Sequence, residues 1–185
     1  VEDNDILRGL APEQRRSVRK IIIRAILGTD MRHHVTFCEK LQHVADKVQA
    51  GSTPFSIEDE TQRHLLVEIL VHAADLSGQA LRPDLACQWG DRVLEEFQQQ
   101  AAAEEEAGLA PFMTGLDQPL NRAKTQHGFT SYVLRPLWSA LVDIFPQLEP
   151  LLRNLDENQR RYKSEIDQLV RAEEGESVGT GTAAK

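Results

Sequence analysis

Two short segments hold the residue types from which chemistry could be built. The first is Val71-His72-Ala73-Ala74-Asp75-Leu76-Ser77, in which an aspartate closes the apolar run Ile69-Leu70-Val71-His72-Ala73-Ala74. A carboxylate in apolar surroundings is costly to desolvate unless a cation or a set of donors meets it. Asp75 is therefore a candidate metal ligand. His72, three residues earlier, is either a partner that orients a metal-site network or a histidine packed between helices. The second segment is Gln126-His127-Gly128-Phe129-Thr130-Ser131-Tyr132. Gln126 and Phe129 stand at i and i+3 on one helical face, which Tyr132 and Val133 continue. A glutamine on an apolar face needs partners for both its carbonyl and its amide hydrogens. A purine edge would supply them, and so would a neighbouring backbone. Phe129, one turn away, could stack on such a base while Val93 pressed on its other side.

The elements that must position these residues read as helices. Periodicity is helical almost throughout, and no alternating run bounded by turns supports a strand. The expected fold class is all-α. Pro12 opens a helix with Val18, Ile21, Ile22, Ala25 and Ile26 at three- and four-residue spacing, closed near Gly28. Thr29 or Asp30 caps the next, about residues 31–49; Asp30 is equally a pocket-edge acceptor. After the Gly51-Ser52-Thr53-Pro54 loop, Ser56 is expected to start the helix that delivers Asp75, carrying Leu65, Leu66, Ile69, Leu70 and Ala73 toward the core. A long helix follows from Asp84 to about Ala107, with Gly108 as its stop. On it Trp89, Val93 and Phe97 share a face, as a pocket wall or as ordinary core. Another helix, about 120–144, should kink near Pro136, and a last one should run from about Leu151 to Arg171. Residues 171–185, rich in Gly, Ser, Thr and Ala beyond Glu173, are expected to form a disordered tail after a single domain over 1–170.

Composition narrows the function classes. With 185 residues, 41% of them hydrophobic, one domain with a sizeable core is expected. A net charge of -8 and the lack of a Lys/Arg cluster argue against nucleic-acid binding. An anionic ligand would need a local positive centre such as metal ions. Two cysteines, Cys38 and Cys87, make no disulfide framework and fit a reducing, cytoplasmic setting. The longest apolar run, around Ile21-Ile22-Ile23, stops at Arg24, so no membrane span is expected. A start at Val1 without an initiator methionine suggests a piece of something longer.

The order and spacing of several motifs resemble the C-terminal part of the catalytic domain of class I 3',5'-cyclic-nucleotide phosphodiesterases, an all-helical branch of the HD-type metal hydrolases. The likeness runs through Ile26-Leu27-Gly28-Thr29-Asp30-Met31 with His34, His72-Ala73-Ala74-Asp75-Leu76-Ser77 with Pro83, and Gln88-Trp89-Gly90-Asp91-Arg92-Val93-Leu94-Glu95-Glu96-Phe97. It continues through Gln126-His127-Gly128-Phe129, Pro136-Leu137-Trp138 and Asn158 to Tyr162. This resemblance implies that Asp75 is the last of four protein ligands of a zinc ion, paired with magnesium (or manganese), and that a bridging hydroxide opens the 3' ester of cyclic AMP or cyclic GMP. It implies that Gln126 hydrogen-bonds the purine, that Phe129 and Val93 are the two jaws of a clamp, and that Phe97 and Met31 line the pocket wall. The family's other ligand motifs and its histidine general acid are absent between Val1 and Lys185 and are expected upstream of Val1. Gly78 stands where many relatives carry Asn, which removes a side-chain donor and acceptor. A homodimer is compatible with the resemblance. Two other readings stand beside it: a catalytically silent nucleotide-binding or scaffold module, and a helical regulatory domain with no nucleotide site.

Overall fold

The computed structural model describes residues 5–56 and 58–180, with side chains to residue 174. No strand occurs among the described residues, and no described helix is long and apolar enough to cross a membrane. The all-α expectation holds. The chain divides into two compact units, Val1–Leu76 and Ser77–Lys185, where composition suggested one domain.

In the first unit, α1 (Pro12–Leu27) starts at Pro12, whose missing N–H costs nothing at a helix start. Its inward stripe is Val18, Ile21 and Ala25, ending at the buried Gly28; Ile22 and Ile26, expected inside, are exposed. Asp30 caps the short 3₁₀ turn Met31–His33 by accepting from the Arg32 amide at 3.0 Å. Helix α2 (His34–Gln49) follows and buries His34, Phe37, Leu41 and Ala45 on one face. Helix α3 (Glu60–Asp75) begins four residues later than Ser56, because Asp59 makes the better cap. Its carboxylate accepts from the Gln62 and Thr61 amides at 3.2 and 2.8 Å and from the Gln62 side chain at 2.9 Å, and chiefly the Gln62 bonds hold its pKa below the ordinary carboxylate value. Lys20 pairs with Glu60 and Arg24 with Glu68, so residue numbers rise together along α1 and α3 and the two helices run parallel.

In the second unit, a 3₁₀ turn (Ser77–Ala80) leads into α4 (Pro83–Glu106). Gly108, at φ +72°, supplies the left-handed residue that follows the helix. Helix α5 (Pro119–Gly128) continues into a π-helical segment (Phe129–Leu134) and then α6 (Arg135–Ile144). The irregularity expected at Pro136 is thus absorbed one turn earlier. Proline offers no N–H to the preceding turn and crowds its carbonyl, and a widened turn relieves both. The Thr130 hydroxyl donates to the Gln126 carbonyl at 2.9 Å and that of Ser131 to the His127 carbonyl at 2.6 Å. These bonds supply donors where the backbone ladder is shifted. A 3₁₀ turn (Pro146–Leu148) precedes α7 (Glu149–Thr180), which runs past Arg171 through Ala172-Glu173-Glu174. Once a helix is formed, each added residue contributes a bond at little nucleation cost. Of the expected tail, residues 181–185 lie outside those described.

Leu134, Leu137, Trp138, Leu141 and Leu155 fill the core of this unit. Leu141→Ala is expected to cost about 2–5 kcal/mol through lost transfer energy and a cavity. Leu109→Ala, at a position 63% exposed, should stay within about 0.5 kcal/mol of the parent. Urea unfolding of the two variants checks this, and equal losses would contradict the assignment of the core.

Candidate functional site

Asp75 sits at the last position of α3, and it is exposed. This corrects the premise that its carboxylate lies in an apolar environment. The apolar run before it faces two ways: Ile69, His72 and Ala73 point inward, while Leu70, Val71, Ala74 and Asp75 form an outward stripe. At roughly 100° per residue, those four positions share one side of the helix. Among the described residues, no three His, Cys, Asp or Glu side chains come together as a metal site. Among the described residues there is thus no ready-made metal site, and a metal held by Asp75 would need its other ligands from elsewhere.

His72 is fully buried where the ends of α1, α2 and α3 meet. Its Nδ1 lies 3.0 Å from the Gly28 carbonyl oxygen, and its Nε2 lies 3.0 Å from Nδ1 of His34. A carbonyl only accepts, so Nδ1 of His72 carries the proton and donates. Burial, and secondarily the neighbouring His34, depress the His72 pKa below its ordinary 6.5. The ring is therefore neutral, its Nε2 is an acceptor, and His34 donates to it through Nδ1. Phe37 meets His72 edge-on at 5.3 Å. Both nitrogens of His72 are thus engaged within this helix junction. Met31 lies in the 3₁₀ turn of the same unit and is 44% exposed.

The other sequence-predicted residues belong to the second unit. Gln126 is 6% exposed, and its Nε2 donates to the Gly90 carbonyl at 3.0 Å. That bond fixes the amide, because the flipped orientation would set one carbonyl oxygen against another. Among the described residues the indole Nε1 of Trp138 is the one buried side-chain polar atom without a partner, so Gln126 Oε1 keeps access to solvent or a ligand. Phe129, the first residue of the π-helical segment, is half-buried one turn beyond Gln126. Val93 is 40% exposed and Trp89 48%. Phe97 is half-buried and packs edge-on against Phe112 at 6.2 Å.

A mount around Gly90 went unread in the sequence. The Gln79 amide nitrogen donates to the Ala86 carbonyl at 3.0 Å, and Gln79 Oε1 accepts from the Tyr162 hydroxyl at 3.0 Å. Asn158 Nδ2 donates to the carbonyls of Gln79 and Leu81 at 2.8 and 3.0 Å, and Asn154 to that of Ala80 at 3.1 Å. Helix α7 thereby staples the 77–81 connector beside α4. Burial of Tyr162 is the main cause that pushes its pKa up to about 12, so its hydroxyl stays a donor at neutral pH. The one available signal was the Asn-Gln-Arg-Arg-Tyr run on α7, whose Asn158 and Tyr162 stand at i and i+4. At Gly78 an added Cβ would make ordinary contact with Trp89 at 3.4 Å, so packing does not demand glycine there. A cleft of about 620 Å³ opens between α4, α5 and α7, with Cys87, Gly90, Leu94, Ala123, Gln126 and Tyr162 among its lining residues.

Residues 1–155 match a family model described as 3',5'-cyclic nucleotide phosphodiesterase. Over 167 residues the chain is 34% identical to 3',5'-cyclic-AMP phosphodiesterase 4C of Mus musculus, covering 89% of this chain and 24% of that protein. Over 164 residues it is 30% identical to the probable 3',5'-cyclic-AMP phosphodiesterase pde-4 of Caenorhabditis elegans, covering 88% and 24%. Among solved structures, the phosphodiesterase domain of the rhodopsin phosphodiesterase of Salpingoeca rosetta superposes with a TM-score of 0.83 at 28% identity, covering 92% of this chain and 51% of that one. The chain thus spans about a quarter of those curated relatives and about half of that solved domain.

Proposed function

The chain belongs to the 3',5'-cyclic nucleotide phosphodiesterase family, and from that membership we propose that it is the base-reading part of an enzyme that hydrolyses cyclic AMP. The observation that carries the proposal is Gln126: a buried amide locked by the Gly90 carbonyl, with its own carbonyl left for a ligand. In this reading Oε1 accepts from the exocyclic amine of adenine, Phe129 and Val93 hold the ring between them, and Phe97 lines the pocket. Cyclic AMP is favoured over cyclic GMP because the curated relatives reported above are named for it.

Asp75 is proposed as one ligand of a zinc ion that is paired with magnesium or manganese. Bound cations of this kind acidify water and neutralise charge that develops on a phosphate. The remaining ligands are not among the described residues, so the 185-residue chain alone is expected to show no cyclic AMP hydrolysis. Its outward Asp75 is available to a site completed by other polypeptide. Fusing the chain to the preceding half of a relative's catalytic domain should restore hydrolysis with zinc and magnesium present. Asp75→Ala in the fusion should lower kcat about a thousandfold or more. An Asp75→Ala fusion as active as its parent would refute the ligand assignment.

A further inference from the structure

Beyond α4 the chain turns back toward Phe97, and one side chain governs that turn. Gly108, at φ +72°, ends the helix in a reversal: its N–H donates to the Glu105 carbonyl at 3.0 Å and that of Leu109 to the Glu104 carbonyl at 2.8 Å. The Glu104 carboxylate holds the next step. Its Oε1 accepts from the Gln100 side-chain amide and its Oε2 from the Phe112 N–H, both at 2.7 Å. These bonds, the Gln100 one foremost, keep its pKa below the ordinary carboxylate value, so at neutral pH it is charged and purely an acceptor. Phe97 and Glu104 lie roughly two turns apart on one face of α4. The turn so held sets the Phe112 ring edge-on against Phe97, with centroids 6.2 Å apart. Burial does little to keep Phe112 there, since it is 72% exposed. The far end of the segment is fastened as well: Asn121 Nδ2 donates to the Gly115 carbonyl at 3.1 Å and the Gln118 N–H to the same carbonyl at 3.2 Å.

We propose that Glu104 is a positioning residue for base binding: by holding the Phe112 amide it fixes residues 109–112 so that the Phe112 ring braces Phe97 in the pocket wall. The inference rests on the placement of Phe97 in the base pocket given above. Glu104 itself touches no base and acts through two rings. Phe97 is half-buried, and Phe112 is the ring that meets it. A wall braced before the ligand arrives spares binding the entropy of ordering it. The carboxylate suits this task because it accepts from two donors at once. Gln100, one turn earlier on the same helix, keeps it from swinging out toward solvent.

Calorimetric titration of the 185-residue chain with cyclic AMP, set beside hydrogen exchange at the Phe112 amide, tests this. Glu104→Ala is expected to speed exchange at Phe112 about tenfold and to weaken cyclic AMP binding about fivefold. Phe112→Ala should weaken binding by the same factor and the double variant no further, since both substitutions remove one brace. Glu104→Gln keeps an acceptor for the Phe112 amide and should recover most of the affinity. A merely structural role would leave the affinity of the folded chain unmoved and would not couple the two residues. Unchanged affinity or unchanged exchange in Glu104→Ala, additive losses in the double variant, or a glutamine variant as weak as the alanine one overturns the positioning role and leaves the base reading intact. A parent chain that binds no cyclic AMP overturns the base reading and this role together.

Discussion

Replacing Gln126 with leucine is expected to weaken cyclic AMP binding tenfold or more, a loss of about 1.4 kcal/mol or greater, and to lower stability by about 1–3 kcal/mol. Both effects come from one amide. Its Nε2 is bonded to the Gly90 carbonyl at 3.0 Å in a site 6% exposed, so the apolar replacement strips that carbonyl of its donor. Its Oε1 is the acceptor proposed for the base. Gln126→Glu separates the two roles, since it keeps the shape but offers Gly90 a donor only when protonated. Its stability should therefore improve as pH falls toward the carboxyl pKa, which apposition to a carbonyl and burial both raise. Calorimetry for binding and urea unfolding for stability read the two effects separately. Unchanged nucleotide affinity in Gln126→Leu would remove this residue from the site.

The second large effect is expected at His72. His72→Leu strips the Gly28 carbonyl of its donor and takes away the acceptor that His34 Nδ1 meets, all in a site with no exposure. The expected cost is about 2–4 kcal/mol, and His72→Asn, whose amide can still donate to Gly28, should recover about half of it. The wild-type ring also has a pH signature. Its folded-state pKa is lowered, chiefly by burial, so below its ordinary 6.5 the unfolded chain binds a proton that the native state refuses. The stability contributed by neutral His72 is complete above that value and is lost as pH falls through it toward the lowered one. Unfolding free energies from pH 8 to 5 should converge between wild type and His72→Asn as pH drops. Parallel curves would contradict the neutral, buried assignment.

Much of this fold could be read from residue order. Pro12, Gly28, Asp30 and Gly108 mark element ends that the structure places as the local chemistry dictates. The misreadings have physical causes. Ser56 yielded to Asp59 because two amides compete for one cap, and a carboxylate accepts both. Which side of an apolar run faces inward is a tertiary property, so Ile22, Ile26 and Leu70 were expected inside and lie outside. The same ambiguity made Asp75 look buried. At Gln126 the structure shows the backbone partner that one of the two readings expected, on the Nε2 end of the amide, and the purine reading is proposed for the other end. The mount that supports it draws on Gln79 and Tyr162, which are 83 residues apart, and no local pattern relates them.

The claim that Gln126 reads a purine is tested most directly by the side-chain amide resonances of the labelled 185-residue chain during titration with cyclic AMP. The account predicts that the Gln126 amide, the Phe129 ring and the Val93 methyl groups shift together and saturate at one concentration. Saturable binding that leaves the Gln126 amide unmoved would contradict it.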